Sequence, residues 1–459
     1  MNKNSGEQSV WNEQFIFDYK NFLDNGKTER ECVELIISMA EKNGYKNLFD
    51  CSSVKMGDKV YLQKMNKTVA LFDIGSLPLE NGMNILGAHI DSPRLDVKQN
   101  PLYEKDFIVY LNTHYYGGIK KYQWLTLPLS IHGVVCKTDG TSVKIKIGED
   151  ASDPVFCVSD ILPHLAQEQL KEKASEFIPG ESLDLIFGLG VPTKGISDDF
   201  STEKAQKDAC KKSIIKILKE KYNIEEDDFA SAELEVVPAG MARDLGLDRS
   251  LILAYGQDDR ACAFTSLAAL FASKAKERTN CCLFVDKEEI GSVGATGMES
   301  HMFENALAEL GAKMEGGFSE LALRRALANS TMLSSDVNAA FDPLNENLYD
   351  KDNASFLAGG IVFNKYTGSR GKYAASDANP EFIARVRACM KKNDIPYQMA
   401  ELGKVDQGGG GTIAYLAAKY GMDVLDAGIA VLSMHAPWEI TSKVDICTAF
   451  SAYKAFLTM

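Results

Sequence analysis

Short apolar runs alternate with amphipathic segments near both ends of this chain, and this alternation restricts the folds open to it. Thr28 and Glu31 have the spacing of a capping box at the start of one amphipathic segment, which indicates a helix. Strands that alternate with helices favour a parallel sheet with helices on both faces. We therefore predict an α/β fold with a doubly wound, mostly parallel sheet. The predicted strands are residues 68–75, 83–89, 280–286 and 423–437, and the predicted helices are residues 27–45, 258–276 and 379–393.

The pattern changes to short β-like segments between residues 99 and 248. Residues 129–148 alternate in polarity around Asp139-Gly140, which is a hairpin signal. One charged helical segment, residues 201–224, lies in the same region. We therefore expect an α/β domain formed by residues 1–98 and 249–459, interrupted by an inserted β-rich domain at residues 99–248.

Composition argues against several classes of partner. With 50 basic and 64 acidic residues the formal net charge is -14, which disfavours a nucleic-acid groove and an anionic membrane surface. No run of about 18 apolar residues is present, so we expect no transmembrane helix. The first residues lack the basic and then apolar pattern of a signal peptide. Ten cysteines without a C-x-x-C pair fit reduced thiols, so we expect a cytoplasmic protein.

Metal-capable side chains occur at five places along the chain, each in an apolar strand-like run or in the turn after it. Sites in open α/β sheets form at the carboxyl ends of strands, so these side chains should converge. Two histidines with several carboxylates make a nitrogen and oxygen donor set that suits zinc, cobalt or manganese. The candidates are His89, Asp91, Asp258, Asp259, Glu288, Glu289, Asp336 and His435.

Each candidate also has an ordinary structural interpretation. A histidine after a strand is more often a satisfied polar residue, and Asp258-Asp259 before a helix is more often a cap. Glu288 and Glu289 before a glycine would usually form a solvated turn. Five such places in a chain with only six histidines favour a common metal site over these separate explanations.

The segments that carry these residues resemble a known family. "GAHIDSPRLDVK", "DDRACAF", "DKEEIGSVGATG", "SSDVNAAF" and "SMHAPWE" are similar, in this order, to the aspartyl aminopeptidase family of co-catalytic zinc peptidases. The resemblance covers essentially the whole chain, including "HLAQEQ" in the middle region and "GGGGTI" near the end.

The resemblance implies a role for each residue. His89, Asp258 and Asp336 would hold one zinc ion, and Asp258, Glu289 and His435 the other, so that Asp258 bridges both. Glu288 would be the general base, and Asp91 would accept a hydrogen bond from the free ring nitrogen of His89. Asp259 is assigned to support or capping, with a role in metal binding as the alternative. Two zinc ions per subunit are expected, with cobalt or manganese able to substitute.

The expected activity is release of single N-terminal residues from peptides by a metal-activated water. A related two-metal carboxypeptidase or deacylase remains an alternative, and so does a catalytically idle scaffold that assembles into a shell. The resemblance also implies a homo-oligomer, expected to be a dodecamer whose active sites face an inner cavity.

Substrate preference is less determined than the metal ligands. Better-known members of the family have histidines shortly after the position of Asp336 and in the "HLAQEQ" segment, where this chain has Ala339, Asp342 and Glu168. These departures leave a preference for acidic N-terminal residues open. Lys365 is a candidate contact for an acidic side chain, with a solvated lysine as the alternative. Gly409 and Gly410 are expected to line the substrate cleft.

Overall fold

The computed structural model describes residues 11–189, 209–275, 277–314 and 316–459. Three predictions extend beyond these ranges: the missing signal pattern at the start, the helical segment over residues 201–208, and the last residue of the helix predicted at 258–276. Those parts lie outside the described residues. Within the described ranges, no helix has the length and apolar composition needed to cross a bilayer.

Helices and strands alternate along most of the described chain. Within the described ranges, the α-helices of five or more residues are Glu13–Asn25, Glu29–Lys42, Ala209–Tyr222, Gln257–Ala272, Met302–Ala312, Glu320–Ala328, Pro380–Lys392, Ala414–Ala418 and Lys443–Phe456. The strands are β1 (Lys46–Asn47), β2 (Lys59–Lys64), β3 (Thr68–Asp73), β4 (Met83–His89), β5 (Arg94–Lys105), β6 (Ile108–Tyr116), β7 (Leu129–Cys136), β8 (Ser142–Ile147), β9 (Leu185–Gly188), β10 (Ala232–Pro238), β11 (Arg243–Leu245), β12 (Leu251–Ala254), β13 (Thr279–Val285), β14 (Thr331–Ser334), β15 (Asn338–Ala339), β16 (Ile361–Asn364), β17 (Tyr397–Met399), β18 (Asp423–Gly428), β19 (Ala430–Leu432) and β20 (Glu439–Ser442).

The chain forms two compact units. The large unit comprises residues 1–92, 242–434 and 438–459, and the small unit comprises residues 93–241 and 435–437. This division lies a few residues before the boundaries predicted at 98 and 248. The assignment of these segments as separate domains stays a prediction.

The large unit is built on a sheet of strand order β1-β2-β3-β13-β4-β14-β18-β16-β17. Its central strands β13, β4, β14 and β18 all pair in parallel. Antiparallel pairs occur toward the edges, between β2 and β3, β3 and β13, and β16 and β18. The predicted α/β fold with a mostly parallel sheet is therefore confirmed.

Both faces of this sheet are covered, as a doubly wound fold requires. Alternate residues of β13 show this directly: Cys282 and Phe284 pack into one apolar core, whereas Cys281 and Leu283 pack into another. The first core receives the helix Gln257–Ala272, among others. Strands buried on both faces explain why the predicted strand segments read as continuous apolar runs.

The predicted helix start at Thr28 is also confirmed. Thr28 Oγ1 accepts the backbone N–H of Glu31 at 3.2 Å, and Glu31 Oε2 accepts the N–H of Thr28 at 3.2 Å. This reciprocal pair forms the capping box and satisfies two amides that the first turn of a helix leaves unpaired.

The small unit contains an antiparallel sheet of order β8-β7-β10-β5-β6-β9. β7 and β8 form the predicted hairpin, with Cys136 opposite Ser142. In its turn Asp139 Oδ1 accepts the N–H of Thr141 at 2.9 Å. Gly140 has φ 86°, a backbone angle that glycine adopts without steric cost.

One predicted strand is wrong: residues 423–437 do not form a single strand that ends at His435. β18 belongs to the large sheet, whereas β19 belongs to a separate sheet of order β11-β12-β20-β19-β15. At Gly428 an added Cβ would lie 1.6 Å from the main-chain oxygen of Asp336. After Gly428 the chain pairs with a different segment, and Ile429 O accepts the N–H of Asn338 at 2.8 Å. Periodicity could not reveal the change because both halves are apolar.

Candidate metal centre

Three central strands end at one edge of the large sheet, and the predicted residues follow them there. β4 ends at His89, whose register partner on β13 is Val285. Glu288 and Glu289 follow β13, and Asp336 follows β14, which pairs in parallel with β4. Parallel strands share one carboxyl edge, so these side chains meet although they are far apart in sequence.

His89 is the centre of the cluster and is only 2% exposed. Its Nε2 lies 3.2 Å from Asp258 Oδ1, 3.9 Å from Asp336 Oδ1 and 4.0 Å from Glu288 Oε2. On the other side of the ring, Nδ1 lies 3.1 Å from the main-chain oxygen of Asp91. A proton on Nδ1 would donate to that oxygen and leave a lone pair on Nε2, which is the form that binds a metal.

Asp91 contacts two parts of the site. Its Oδ1 lies 3.4 Å from His89 Nδ1, which fits the predicted orienting role. In addition, its two carboxylate oxygens accept the backbone N–H groups of Glu288 and Glu289, each at 3.2 Å. The sequence did not indicate this second contact, which fixes the turn that carries both glutamates.

Glu288 and Glu289 lie in one 3₁₀ turn between Lys287 and Gly291, which have φ values of 69° and 97°. Adjacent residues on a strand would point to opposite faces, but in this turn both can approach one centre. Ligand atoms of Glu289, His89 and Asp258 all lie within 4.8 Å of one another. The Glu288 side chain is 17% exposed and reaches His89 from the side open to solvent.

The main chain of Asp258 is held from two directions. Its N–H donates to Glu439 Oε2 at 2.9 Å, and its carbonyl accepts from Ser92 Oγ at 2.7 Å. Glu439 is buried. Sequence reasoning missed both supporting residues. The only signal in the sequence was that each lies next to a predicted site residue or motif: Ser92 follows Asp91, and Glu439 follows "SMHAPW".

Asp258 and Asp259 have non-helical backbone angles near the start of the segment Gln257–Ala272, so the regular part of this helix begins after them. Asp259 is joined to Asp258 by a cis peptide bond and is fully buried, and its assignment to support or capping stays a prediction. Its carboxylate groups with His89 and Asp336, with ligand atoms within 4.8 Å. Burial raises the pKa of Asp259 well above its usual range, and the charge of Asp258 adds to this rise, although the charge of His89 and hydrogen bonds from Cys262 and the main chain of His89 oppose it. A buried carboxylate beside other acids is costly, so the site needs compensating positive charge.

The pKa values of the clustered side chains also indicate that the site requires positive charge. Burial raises the pKa of Asp336 well above its usual range, and the charges of Asp259, Glu288 and Asp258 add to this rise. Burial lowers the pKa of His89, but Asp258 and Asp91 reverse the effect and hold it well above its ordinary value. A buried imidazole among carboxylates that repel one another is a donor set that a divalent cation such as zinc fits.

His435 belongs to the small unit, where its Nδ1 lies 3.0 Å from the main-chain oxygen of Gly118. A proton on Nδ1 would donate to this carbonyl and place on Nε2 the lone pair that binds a metal. The residue has φ 63° and lies outside the strands. Its assignment as a ligand stays a prediction.

The predicted substrate residues lie together in the large unit, away from strand interiors. Lys365 follows β16, is exposed, and makes no side-chain hydrogen bond or ion pair within the described ranges. Its loop contacts the glycine-rich segment, since Gly368 N–H donates to Gly410 O at 2.7 Å. A Cβ at Gly409 would lie 2.4 Å from Gly368 O, so glycine permits this close approach.

The residues that replace the family's usual histidines have structural partners. Asp342 Oδ1 accepts the N–H of Leu344 at 2.9 Å and so caps a short 3₁₀ helix. Glu168 is exposed and pairs with Lys171 Nζ at 2.6 Å. Neither interaction involves the metal cluster.

Comparisons with known proteins identify the family of the chain. A protein-family model described as "Aminopeptidase I zinc metalloprotease (M18)" matches residues 22–457. A Clostridium acetobutylicum protein named "Probable M18 family aminopeptidase 1" is 57% identical over 443 residues, which cover 96% of this chain and 93% of that protein.

Solved structures show the same fold. The crystal structure of an M18 family aminopeptidase from Thermotoga maritima has a TM-score of 0.92 and 44% identity, covering 99% of this chain and 97% of that one. A dodecamer from S. cerevisiae has a TM-score of 0.75 and covers 96% of both chains. Its 21% identity shows similarity of fold alone.

Proposed function

Because this chain belongs to the M18 family of zinc aminopeptidases, we propose that it releases single residues from peptide N-termini by means of a water activated between two metal ions. The observation that carries the two-metal proposal is the convergence of His89, Asp258 and Glu289, whose ligand atoms lie within 4.8 Å of one another. The three residues come from distant parts of the chain, so their meeting is not a local coincidence.

In this proposal His89, Asp258 and Asp336 hold one zinc ion, and Asp258, Glu289 and His435 hold the other. Asp258 would contribute to both sites, and the hydrogen bonds that hold its main chain support this role. Bound zinc supplies Lewis acidity, which polarises the scissile carbonyl and lowers the pKa of water. Cobalt and manganese favour the same nitrogen and oxygen donors and could replace zinc.

Glu288 is the proposed general base. It is not required as a ligand in this assignment, and its Oε2 lies 4.0 Å from His89 Nε2. From this position it can take a proton from the attacking water and deliver it to the leaving amine. Asp91 positions the base, because its carboxylate accepts the amides of Glu288 and Glu289.

The two alternatives receive less support. A carboxypeptidase or deacylase would share the metal cluster, but the 57% identical relative bears the name of an aminopeptidase. An idle scaffold would have no use for a second carboxylate beside the ligand Glu289. Free-amine and N-acetylated peptides separate these functions, and equal turnover of both would contradict an aminopeptidase.

The adjacent glutamates provide the sharpest test of the mechanism. Glu288→Gln should retain the metal content of the wild type but lose at least about a hundredfold in kcat, because an amide cannot take the proton. Glu289→Ala should lose roughly one metal ion per subunit by elemental analysis. Loss of metal in Glu288→Gln with full metal in Glu289→Ala would reverse the assigned roles.

We propose that the enzyme accepts neutral as well as acidic N-terminal residues. Asp342 and Glu168 stand where the family has histidines, and as carboxylates they cannot supply a cation for an acidic side chain; Asp342 caps a helix and Glu168 forms an ion pair. Lys365 is the remaining candidate, and it is exposed. Gly409 and Gly410 line the cleft in this proposal, next to the loop that carries Lys365.

We also propose that the chain self-associates into a dodecamer in the cytoplasm. The small unit exposes four apolar side chains within ten residues, which is typical of a contact surface. They are Ile161, Leu162, Leu165 and Leu170, with 44%, 49%, 68% and 77% exposure. All ten cysteines are free, which fits a reducing compartment.

A further inference from the structure

A second cavity lies in the large unit, at the end of the strands opposite to the metal centre. Its volume is about 550 Å³, and its lining includes Asn84 from β4 and Thr331 from β14. Asn84 and His89 are five residues apart on β4, a separation of roughly 16 Å along a strand. The cavity is therefore distinct from the proposed active site.

Three cations line this cavity, in a chain whose net charge is -14. Arg278 is half-buried, and its Nη2 donates to Asn329 O at 2.6 Å and Met83 O at 3.1 Å. Arg385 pairs with Asp423 at 2.7 Å through one Nη. Lys392 has no carboxylate within ion-pair distance among the described residues. The lining thus contains more positive charge than its carboxylate partners neutralise.

Two donors of the lining residues have no hydrogen-bond partner among the described residues. Asn84 Oδ1 accepts from Thr331 Oγ1 at 3.3 Å, whereas the Asn84 amide nitrogen has no protein partner there and keeps contact with solvent. Arg278 Nε is buried and has no partner in the described part of the chain. A buried donor such as Arg278 Nε normally bonds to protein, water or a ligand.

Structural roles explain only part of this arrangement. Arg278 satisfies the carbonyl of Asn329 at the end of the helix Glu320–Ala328, and Asp423 orients Arg385. Neither contact accounts for Lys392 or for the amide of Asn84. Burial lowers the pKa of Arg278, and the neighbouring positive charge of Arg385 lowers it further. An anion bound in the cavity would offset this positive charge.

We propose that this cavity binds a small anionic metabolite, whose phosphate or carboxylate oxygens are held by Arg278, Arg385 and Lys392. Arginine pairs bind such oxygens through forked, charge-assisted hydrogen bonds, and the Asn84 amide adds a neutral donor. Ala388, Ala455 and Met459 form an apolar wall that can receive the carbon part of the ligand.

Calorimetric titration of the zinc-loaded protein with inorganic phosphate and with succinate tests this proposal, at constant ionic strength set by sodium chloride. Lys392→Met should weaken binding roughly tenfold, since it removes one charge-assisted contact. Lys391→Met is the matched control, because Lys391 lies on the same helix and loses the same charge but does not line the cavity. Lys391→Met should bind like the wild type.

Thiol alkylation followed by mass spectrometry locates the bound probe and excludes binding at the metal centre. Cys389 lines the cavity and is partly buried, whereas Cys51 and Cys447 are partly buried elsewhere. The probe that binds should slow alkylation of Cys389 at least threefold and leave the other two unchanged. Equal affinity of the two lysine variants, binding of neither probe, or unchanged alkylation of Cys389 would overturn the proposal.

Discussion

Glu288 and Glu289 are neighbours in sequence with different surroundings in the site. Glu289 Oε1 is buried and its side chain groups with His89 and Asp258, whereas Glu288 keeps 17% exposure. A ligand must stay bound through the reaction, but a base must exchange its proton. In the proposed mechanism one turn supplies both roles, and Asp91 holds the two amides of that turn.

Lys365 is the single residue whose contacts would decide the preference for the N-terminal residue of the substrate. If it is solvated, as its exposure suggests, kcat/KM for N-terminal Asp, Glu, Leu and Ala should agree within about tenfold. Lys365→Met should then change each value by less than about twofold, since an exposed lysine contributes little to binding. A strong preference for acidic residues that disappears in Lys365→Met would contradict the proposed broad specificity.

At the scale of elements, β18 packs closely against the loop that carries Asp336. An added Cβ at Gly428 would lie 1.6 Å from Asp336 O and 2.4 Å from Asp336 C, so the main chain would have to shift. Gly428→Ala should lower the free energy of unfolding by roughly 1–3 kcal/mol and reduce bound metal. Thermal unfolding and elemental analysis measure the two effects.

Gly371→Ala is the control for this change, because a Cβ at Gly371 meets nothing within 4 Å. It should unfold at the wild-type temperature and retain full metal. Full metal and unchanged stability in Gly428→Ala would show that the loop of Asp336 is not constrained by β18.

The last helix, Lys443–Phe456, holds a turn of the chain through a buried acid. Asp445 accepts the N–H groups of Ala358 at 2.6 Å and Gly360 at 2.9 Å. Burial raises the pKa of Asp445 to about 6 despite these bonds. The folded state thus holds the proton more tightly than the unfolded chain, whose Asp pKa is about 3.9. The stability that protonated Asp445 contributes is therefore full below pH 4 and is lost as the pH rises through about 6.

Asp445→Asn removes this titration and isolates its effect. The wild type should lose roughly 3 kcal/mol relative to the variant between about pH 4 and pH 6, and the difference should be constant above pH 7. Unfolding followed across this range measures it, and the acids of the metal cluster cancel in the comparison. Asp227→Asn, at an exposed position, should give a difference that is flat with pH. A flat difference for Asp445→Asn as well would refute the assigned role.

At the scale of the whole molecule, we expect the exposed apolar segment of the small unit to mediate assembly. Leu165→Asp with Leu170→Asp should shift the mass measured by light scattering from an oligomer toward the monomer, because burying these charges in an interface is costly. Leu247→Asp, at an exposed position of the large unit, should leave the mass unchanged. A wild-type monomer with full activity would refute self-association.

The sequence by itself determined the class of fold and the family. Apolar runs that alternate with amphipathic segments predicted the sheet, and the capping residues Thr28 and Glu31 predicted one helix start. These features are local, since side-chain periodicity and capping depend on residues a few positions apart. The acidic and histidine-containing segments, taken in their order along the chain, indicated the aminopeptidase family. They can be recognised in the sequence because each motif is short and contiguous.

Only the tertiary structure decided how the site is supported. Glu439 contacts Asp258 across 181 positions, and Asp91 contacts the glutamate turn across about 197, distances over which no periodic pattern carries information. The division of residues 423–437 between two sheets was hidden for a related reason. Both halves are apolar, and the choice between them rests on how closely Gly428 lets the main chain approach Asp336. Such close approaches depend on packing between distant segments, which local composition does not encode.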